Sequence, residues 1–243
     1  MFIPAYIRKT DVLTDISYAV TFAVVAVYGF ISSEQTLAQK LATAMVLLWA
    51  ARLGMFLFMR ILKMKKDARF DGMRDRFFAF LRFWLLQGAT VYVVLLAAIA
   101  LWSRQSTTIT GLSVAGLVIW AVGLVLEAFA DGQKFRFNNR KTTDVWIDEG
   151  VWRMSRHPNY LGEMMVWIGM CMFVFSSLNG AGRLVAVISP IYIISLLLFV
   201  SGVPLLEKSA DKKWGSDKAY QRYKREVPAV VPSLRSIKRF LSR

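Results

Sequence analysis

Six stretches of this chain, roughly 14–32, 38–59, 78–102, 111–130, 160–178 and 184–206, are apolar over about the length that crosses a bilayer. A helix rises about 1.5 Å per residue, so about twenty residues span the ~30 Å hydrocarbon core. Lipid offers no partner to a backbone N–H or C=O, and a helix satisfies both within itself. The expected fold is therefore all-α: a polytopic membrane helix bundle of about six transmembrane helices, one membrane domain over residues 1–243. Composition agrees, with 56% of the 243 residues hydrophobic against about 45–50% in soluble domains. The first run does not read as a signal peptide. It is long, Arg8 and Lys9 precede it, and no small-residue cleavage site follows.

The formal net charge of +15 would suggest nucleic acid in a soluble protein. Its distribution argues otherwise. Of 31 Lys and Arg, 26 fall before the first run, between the second and third, between the fourth and fifth, or after the sixth. That is the positive-inside pattern, and it predicts cytoplasmic termini and long, basic cytoplasmic connections. The surplus is mostly topology, with capacity left for anionic lipid or a phosphorylated ligand. Nucleic acid is not an expected partner. The only cysteine, Cys171, lies in a run, and His157 is the only histidine. This excludes an intrachain disulfide and argues against a transition-metal centre.

Polar groups inside apolar runs cost about 2.5–3.5 kcal/mol each when ionisable, and they persist where they face a cavity or a partner. Arg52 and Arg60 lie along the second run with Trp49, and Arg82 and Gln87 lie in the third. Glu127 and Asp131 are four apart, as are Asn159, Glu163 and Trp167, so each set shares a helix face. Arg60, Arg82 and Asp131 stand near run ends, where snorkelling is the plain alternative. Glu127 is equally suited to pairing with an arginine or to touching a ligand.

The stretch RMSRHPNYLGE at 153–163 brings two arginines, His157, Asn159 and Glu163 to the mouth of the fifth run. Pro158 suits a first helical turn, whose free N–H groups attract anions. With DGQKFRFNNRK at 131–141, either a solvated loop or part of the site, the arginines form a basic mouth suited to polyphosphate. Neither a Walker loop nor a strand-borne Gly-x-Gly-x-x-Gly is present. His157 next to Pro158 reads first as a helix-entry hydrogen-bonder, because no Ser, Cys or second His stands nearby.

The segment from Asp148 through GVWRMSRHPNYLGEMMVW resembles the C-terminal signature of the steroid 5-alpha-reductase-like integral membrane family, especially its bacterial members. EAFADGQKFRFN from Glu127 and the tail LEKSADKKWGSDKAYQRYKREVPAVVP extend the resemblance over about 120–233. Weaker similarity reaches upstream to WAAR and LLQG. Sterol delta-14 reductases share the signature, and isoprenylcysteine carboxyl and phospholipid methyltransferases share the shorter RHPxYxG. The resemblance implies NADPH bound from the cytoplasmic side. Asp131 and Asn159 would contact the cofactor. Lys134, Arg136, Arg153 and Arg156 would face its phosphates, with His157 beside them. Glu163 and Trp167 would line the nicotinamide region, and Tyr220 and Tyr223 would close over the nucleotide. Where the steroid enzymes polarise an enone with a tyrosine and a glutamate, this chain has Trp49 and a position near Asp15. Asp15 and Tyr18 share a helix face and are the substitute pair, with Glu163 the third catalytic candidate. Tyr92 is a further possible proton donor.

Three functions fit. The first is an NADPH-dependent oxidoreductase acting on a conjugated C=C bond of a lipophilic substrate, steroid-like or prenoid, in a bacterial inner membrane. The second is an S-adenosylmethionine-dependent methyltransferase for a lipid or isoprenylcysteine-type group. The third is a non-enzymatic membrane protein that binds lipid or a partner. Glu163 and the QKFRF segment favour the first.

Overall fold

Helices rise where the apolar runs stand, and two of them depart from the runs in ways that build the site. The computed structural model describes residues 1–10, 12–64, 72–73, 75–140 and 144–242, without the side chains of 12, 13, 15 and 60–64. Asp15 and Arg60 therefore lie outside the described side chains. The helices are α1 (Phe2–Ile7), α2 (Val12–Ile31), α3 (Leu37–Met64), α4 (Phe77–Trp102), α5 (Gly111–Arg140), α6 (Pro158–Phe175), α7 (Gly180–Ser195), α8 (Val203–Trp214), α9 (Lys218–Glu226) and α10 (Leu234–Leu241). No strand occurs among the described residues.

Among the described residues, Leu37–Met59, Phe77–Trp102, Gly111–Arg140 and Gly180–Trp214 are long and apolar enough to cross a membrane, and Ile16–Ile31 is a shorter apolar helix. The fifth run forms the 18-residue α6 but is not one of these four, since Asn159 and Glu163 dilute its first two turns. Large apolar side chains face outward along these helices, among them Val24, Leu85 and Val125 at 60%, 64% and 67% exposure. Such surfaces mark membrane or protein contacts, and along helices long enough to cross a bilayer they suit lipid. The chain is an integral membrane protein with a polytopic helical fold.

The chain divides into two compact units, the first Met1–Gly116 with Met170–Ser189, the second Leu117–Gly169 with Pro190–Arg243. In the first unit Phe22 of α2 meets Trp49 of α3 edge to face at 4.8 Å, and both are buried. Buried Gln39 satisfies backbone groups at the end of α4, donating to the Leu101 and Arg104 carbonyls at 3.0 and 2.8 Å. Trp102 Nε1 donates to Thr43 Oγ1 at 3.0 Å. Polar groups in this unit thus close helix ends, where an unmade hydrogen bond would cost most.

In the second unit α5 runs ten residues past its apolar stretch, to Arg140. DGQKFRFNNR is therefore helix and not loop, projecting about 15 Å further. The reason is its inner face: Ala130 and Phe137 pack with Ile147, Val151 and Trp152. The sixth run also departs from a simple span. Pro190 lies inside α7, a π turn covers Leu196–Val200, and α8 restarts at Val203. Proline removes a helical donor, and the wide turn absorbs the mismatch. The tail behaves as its sequence reads, with α8 ending at Trp214 before Gly215 and Asp217 capping α9 through Ala219 N at 2.7 Å.

Candidate functional site

The second unit holds an open cavity of about 270 Å³ whose lining includes three tryptophans and two tyrosines. Trp146 stands at its centre, 5.2 Å from Tyr220, 6.2 Å from Trp214 and 6.2 Å from Tyr223. The rings are held by backbone acceptors. Trp152 Nε1 donates to Ala130 O at 3.1 Å, Tyr223 Oη to Trp152 O at 2.9 Å, and Trp214 Nε1 to Asp144 O at 2.9 Å. Burial pushes the Tyr223 phenol well above its ordinary range, so it stays a donor. Trp146 Nε1 is buried with no hydrogen-bond partner among the described residues. It is a donor left for a ligand or water. Charge enters from three sides. Lys134 lies over the Trp152 ring at 4.9 Å, Lys213 over Trp214 at 4.9 Å, and Arg156 and Glu207 complete the wall. Lys213 also reaches Asp144 at 2.5 Å.

One local turn makes this wall possible. Gly150 has φ +52°, and a Cβ there would sit 2.1 Å from the Gln133 side chain. Gln133 in turn accepts from Val151 N at 3.1 Å, tying the 3₁₀ turn Gly150–Arg153 to α5. Glycine takes this left-handed backbone without strain, and a side chain here would displace the Gln133 amide.

Arg156 has a different first task from the phosphate contact expected of it. Its guanidinium grips Glu207 of α8 bidentately, Nε to Oε1 at 3.0 Å and Nη2 to Oε2 at 2.9 Å. Nη1 donates to the carbonyls of Lys224, at 2.9 Å, and Val227. Backbone bonds continue the clamp, Arg156 N to Pro228 O and His157 N to Ala229 O, each at 2.9 Å. RMSRHP therefore fastens the VPAVVP tail to the second unit beside Glu207. His157 joins by placing Nε2 2.8 Å from Glu207 Oε1. A carboxylate only accepts, so Nε2 carries the proton, while Nδ1 is buried without a partner among the described residues.

Burial lowers the His157 pKa below its ordinary 6.5, against the opposing pull of Glu207. Below that ordinary value the unfolded chain takes up a proton that the folded imidazole refuses. The stability contribution is thus complete above about 6.5 and lost as pH falls toward the depressed folded value. Unfolding temperature in detergent should decline from about pH 6.5 downward, and His157→Gln should flatten that decline.

The remaining candidates fall into a second group on the seam between α5 and α6. Asn159 Nδ2 donates to the buried carboxylate of Asp131 at 3.2 Å. Glu163, half-buried, and Trp167, buried, continue the same α6 face. The seam is close because Gly123 and Gly162 meet: a Cβ on Gly162 would lie 2.7 Å from Gly123 O and 2.7 Å from Glu127 N. The glycine of RHPNYLG is a helix-crossing residue.

Two basic candidates stand outside both groups. Arg136 is exposed, because two residues along a helix turn it to the face opposite Lys134. Arg153 is half-buried, does not line the cavity and makes no hydrogen bond or ion pair among the described residues. The catalytic candidates Asp15 and Tyr18 belong to the first unit. There Tyr18 lines a smaller cavity of about 120 Å³ with Ser17, Thr21, Trp84, Gln87 and Gly88. Tyr92 is 61% exposed among apolar neighbours on α4. Trp49, standing where a tyrosine was sought, is 1% exposed and serves the core.

Sequence reasoning missed Glu207, Trp146, Trp152, Lys213 and Trp214. Glu207 had a signal, being a carboxylate directly after the apolar LLLFVSGVPLL, the same kind of placement that drew notice to Glu163. The tryptophans had none until α5 was known to be long.

No curated protein and no solved structure matches the chain. One protein family, described as a protein of unknown function (DUF1295), matches residues 1–227. That match takes in both cavities, the α5–α6 seam and every helix through α9, and the chain belongs to the DUF1295 family.

Proposed function

We propose that this protein is a membrane-embedded, NADPH-dependent reductase of a conjugated C=C bond in a lipophilic substrate, with its nucleotide site on the cytoplasmic face of a bacterial inner membrane. The observation that carries the reading is the lining of the aromatic cavity, where Lys134, Lys213 and Arg156 stand with the carboxylate of Glu207 among edge-on and tilted aromatic rings, and Asp144 lies against Lys213. Rings take a planar base, and the cationic surplus takes phosphate. At about 270 Å³ the cavity fits a ring-and-phosphate end and not a whole dinucleotide. Asp131, Asn159, Glu163 and Trp167 of the seam are left for the other end. The steroid 5-alpha-reductase-like resemblance supports the same assignment.

NADPH supplies a hydride when bound. The chain's own part is to orient and to stabilise. Lys134 and Lys213 hold phosphate, Arg156 and His157 keep the tail closed over the nucleotide, and the Asn159 amide fixes its partner through Asp131. The enolate that forms on the substrate needs a protic side chain to stabilise it. Such groups work by placing dipoles before charge develops.

A second reading has one observation in its favour. Trp146, Trp214, Tyr220 and Tyr223 form walls that would also accept a sulfonium cation, as an S-adenosylmethionine-dependent methyltransferase requires. The basic groups of the same cavity oppose it. The deciding experiment supplies deuteride-labelled NADPH and lipophilic enones to the detergent-purified protein. Deuterium should appear in the reduced product, and Asn159→Ala should lower kcat/KM about tenfold or more. Methyl transfer from labelled S-adenosylmethionine, with no deuterium transfer, would replace this reading by the second.

A further inference from the structure

We propose that α10 is an interfacial anchor that docks on the anionic phospholipid surface of the bilayer the chain spans. The helix lies beyond the residues matched by the family, 1–227, and the inference stands apart from the cofactor reading.

The inner side of α10 is pinned, which fixes its rotation. Ser233 and Ser236 form a reciprocal cap, and Ser236 is fully buried. Arg239 binds Asp148 at 2.5 Å and Glu226 at 3.5 Å, with its guanidinium 5.7 Å from the Tyr223 ring centroid. Phe240 and Ile237 are half-buried. What remains outside is therefore enforced. Leu234 is 82% exposed and Leu241, two turns on, is 70% exposed. Val231, just before the helix, is 71% exposed. Lys238 stands exposed on the same side, and exposed Arg235 flanks it while reaching Glu226 at 3.4 Å.

A helix docked on its own protein turns its apolar stripe inward and its charges outward. Here the outward face interleaves large apolar side chains with cations. That pattern suits the headgroup layer, where leucines enter the acyl boundary and cations meet lipid phosphates. Each cation near an anionic leaflet contributes about 1 kcal/mol, or about fivefold in affinity. The same unit contains α5 from Leu117 onward and the stretch from Pro190 through α8, parts of two helices apolar enough to cross a membrane, so the surface is always at hand. A protein groove would cover the leucines equally well but gives no reason for the cations between them.

The test uses full-length protein in nanodiscs of phosphatidylcholine, with or without phosphatidylglycerol. Leu234→Cys carries an environment-sensitive fluorophore in a Cys171→Ala background, since Cys171 is the only other thiol and is buried. The expected result is blue-shifted emission in anionic discs, quenched by nitroxide-labelled lipid. Lys238→Glu, which breaks no ion pair among the described residues, should move the emission toward its aqueous position while the unfolding temperature holds. Aqueous emission in both disc types would overturn the proposal, as would equal lipid quenching in neutral and anionic discs. Shielding that ignores nitroxide lipid and grows with the protein-to-lipid ratio would assign the face to a second copy and overturn it as well.

Discussion

Replacing Gly162 by leucine should cost the protein its folded second unit. A Cβ at this position meets the Gly123 carbonyl oxygen at 2.7 Å, the Glu127 amide nitrogen at 2.7 Å and the Glu127 Cβ at 2.8 Å. Two of these are backbone atoms of α5, so no side chain can swing away. Overpacking where side chains adapt costs about 1–3 kcal/mol, and here the helices themselves must separate. A loss above about 3 kcal/mol is expected, enough to abolish a monodisperse peak in detergent. Gly162→Ala should already lower the unfolding temperature by several degrees. Gly132, on the facing helix α5, is the control: a Cβ there meets nothing within 4 Å, and Gly132→Ala should stabilise by up to about 1 kcal/mol through helix propensity. Equal behaviour of Gly162→Ala and Gly132→Ala would mean that α5 and α6 do not cross at this contact.

Arg156→Ala should be the second severe change. The pair it breaks is largely buried, with the Arg156 and Glu207 side chains 12% and 17% exposed. Removing one partner of a buried ion pair costs about 3–5 kcal/mol when the other is left uncompensated; Glu207 keeps His157 at 2.8 Å and Lys224 at 3.3 Å, which places the loss at the lower end, about 3 kcal/mol. For a chain of this size that is roughly 6–12 °C in Tm. The Lys224 and Val227 carbonyls lose their donor at the same time. Loosening should therefore appear as faster amide exchange across α9 and residues 227–229, ahead of global unfolding. A residue serving phosphate alone would behave differently, with cofactor affinity falling while Tm and exchange stayed put. Glu207→Ala should reproduce the Arg156→Ala exchange pattern, since both open the same clamp.

The contrast between Arg156 and Lys134 shows what a sequence can and cannot say about this site. Apolar runs near twenty residues long report a physical requirement of lipid, and the helices α2 to α8 follow them. The faces within a helix were legible too, since Asn159, Glu163 and Trp167 share a side and Asn159 does reach Asp131. What stayed hidden depended on where helices end. DGQKFRFNNR has the charge of a loop, and only its packing against Ile147, Val151 and Trp152 keeps it helical. Once it is helical, Lys134 faces the cavity and Arg136 faces away, a distinction invisible while both belonged to a basic mouth. Arg156 was hidden for another reason. A guanidinium suited to phosphate is equally suited to carboxylate, and its partner lay 51 residues away on α8. Trp49 shows the opposite case, where an aromatic sought for chemistry is spent on the core against Phe22. The outward leucines of α10 gave no signal in the chain, since their exposure follows from Arg239 pinning the other side.

The most direct test of the central claim is a titration of the detergent-purified chain with NADPH, NADH and S-adenosylmethionine in parallel, read by quenching of its tryptophans. Trp146, Trp152 and Trp214 line the cavity and should respond to any planar base that enters it. The account predicts saturable NADPH binding, tighter than NADH because the additional phosphate meets Lys134 and Lys213, and weakened at least about tenfold by Lys134→Glu with Lys213→Glu. S-adenosylmethionine binding without NADPH binding, or NADPH binding indifferent to both charge reversals, would contradict it.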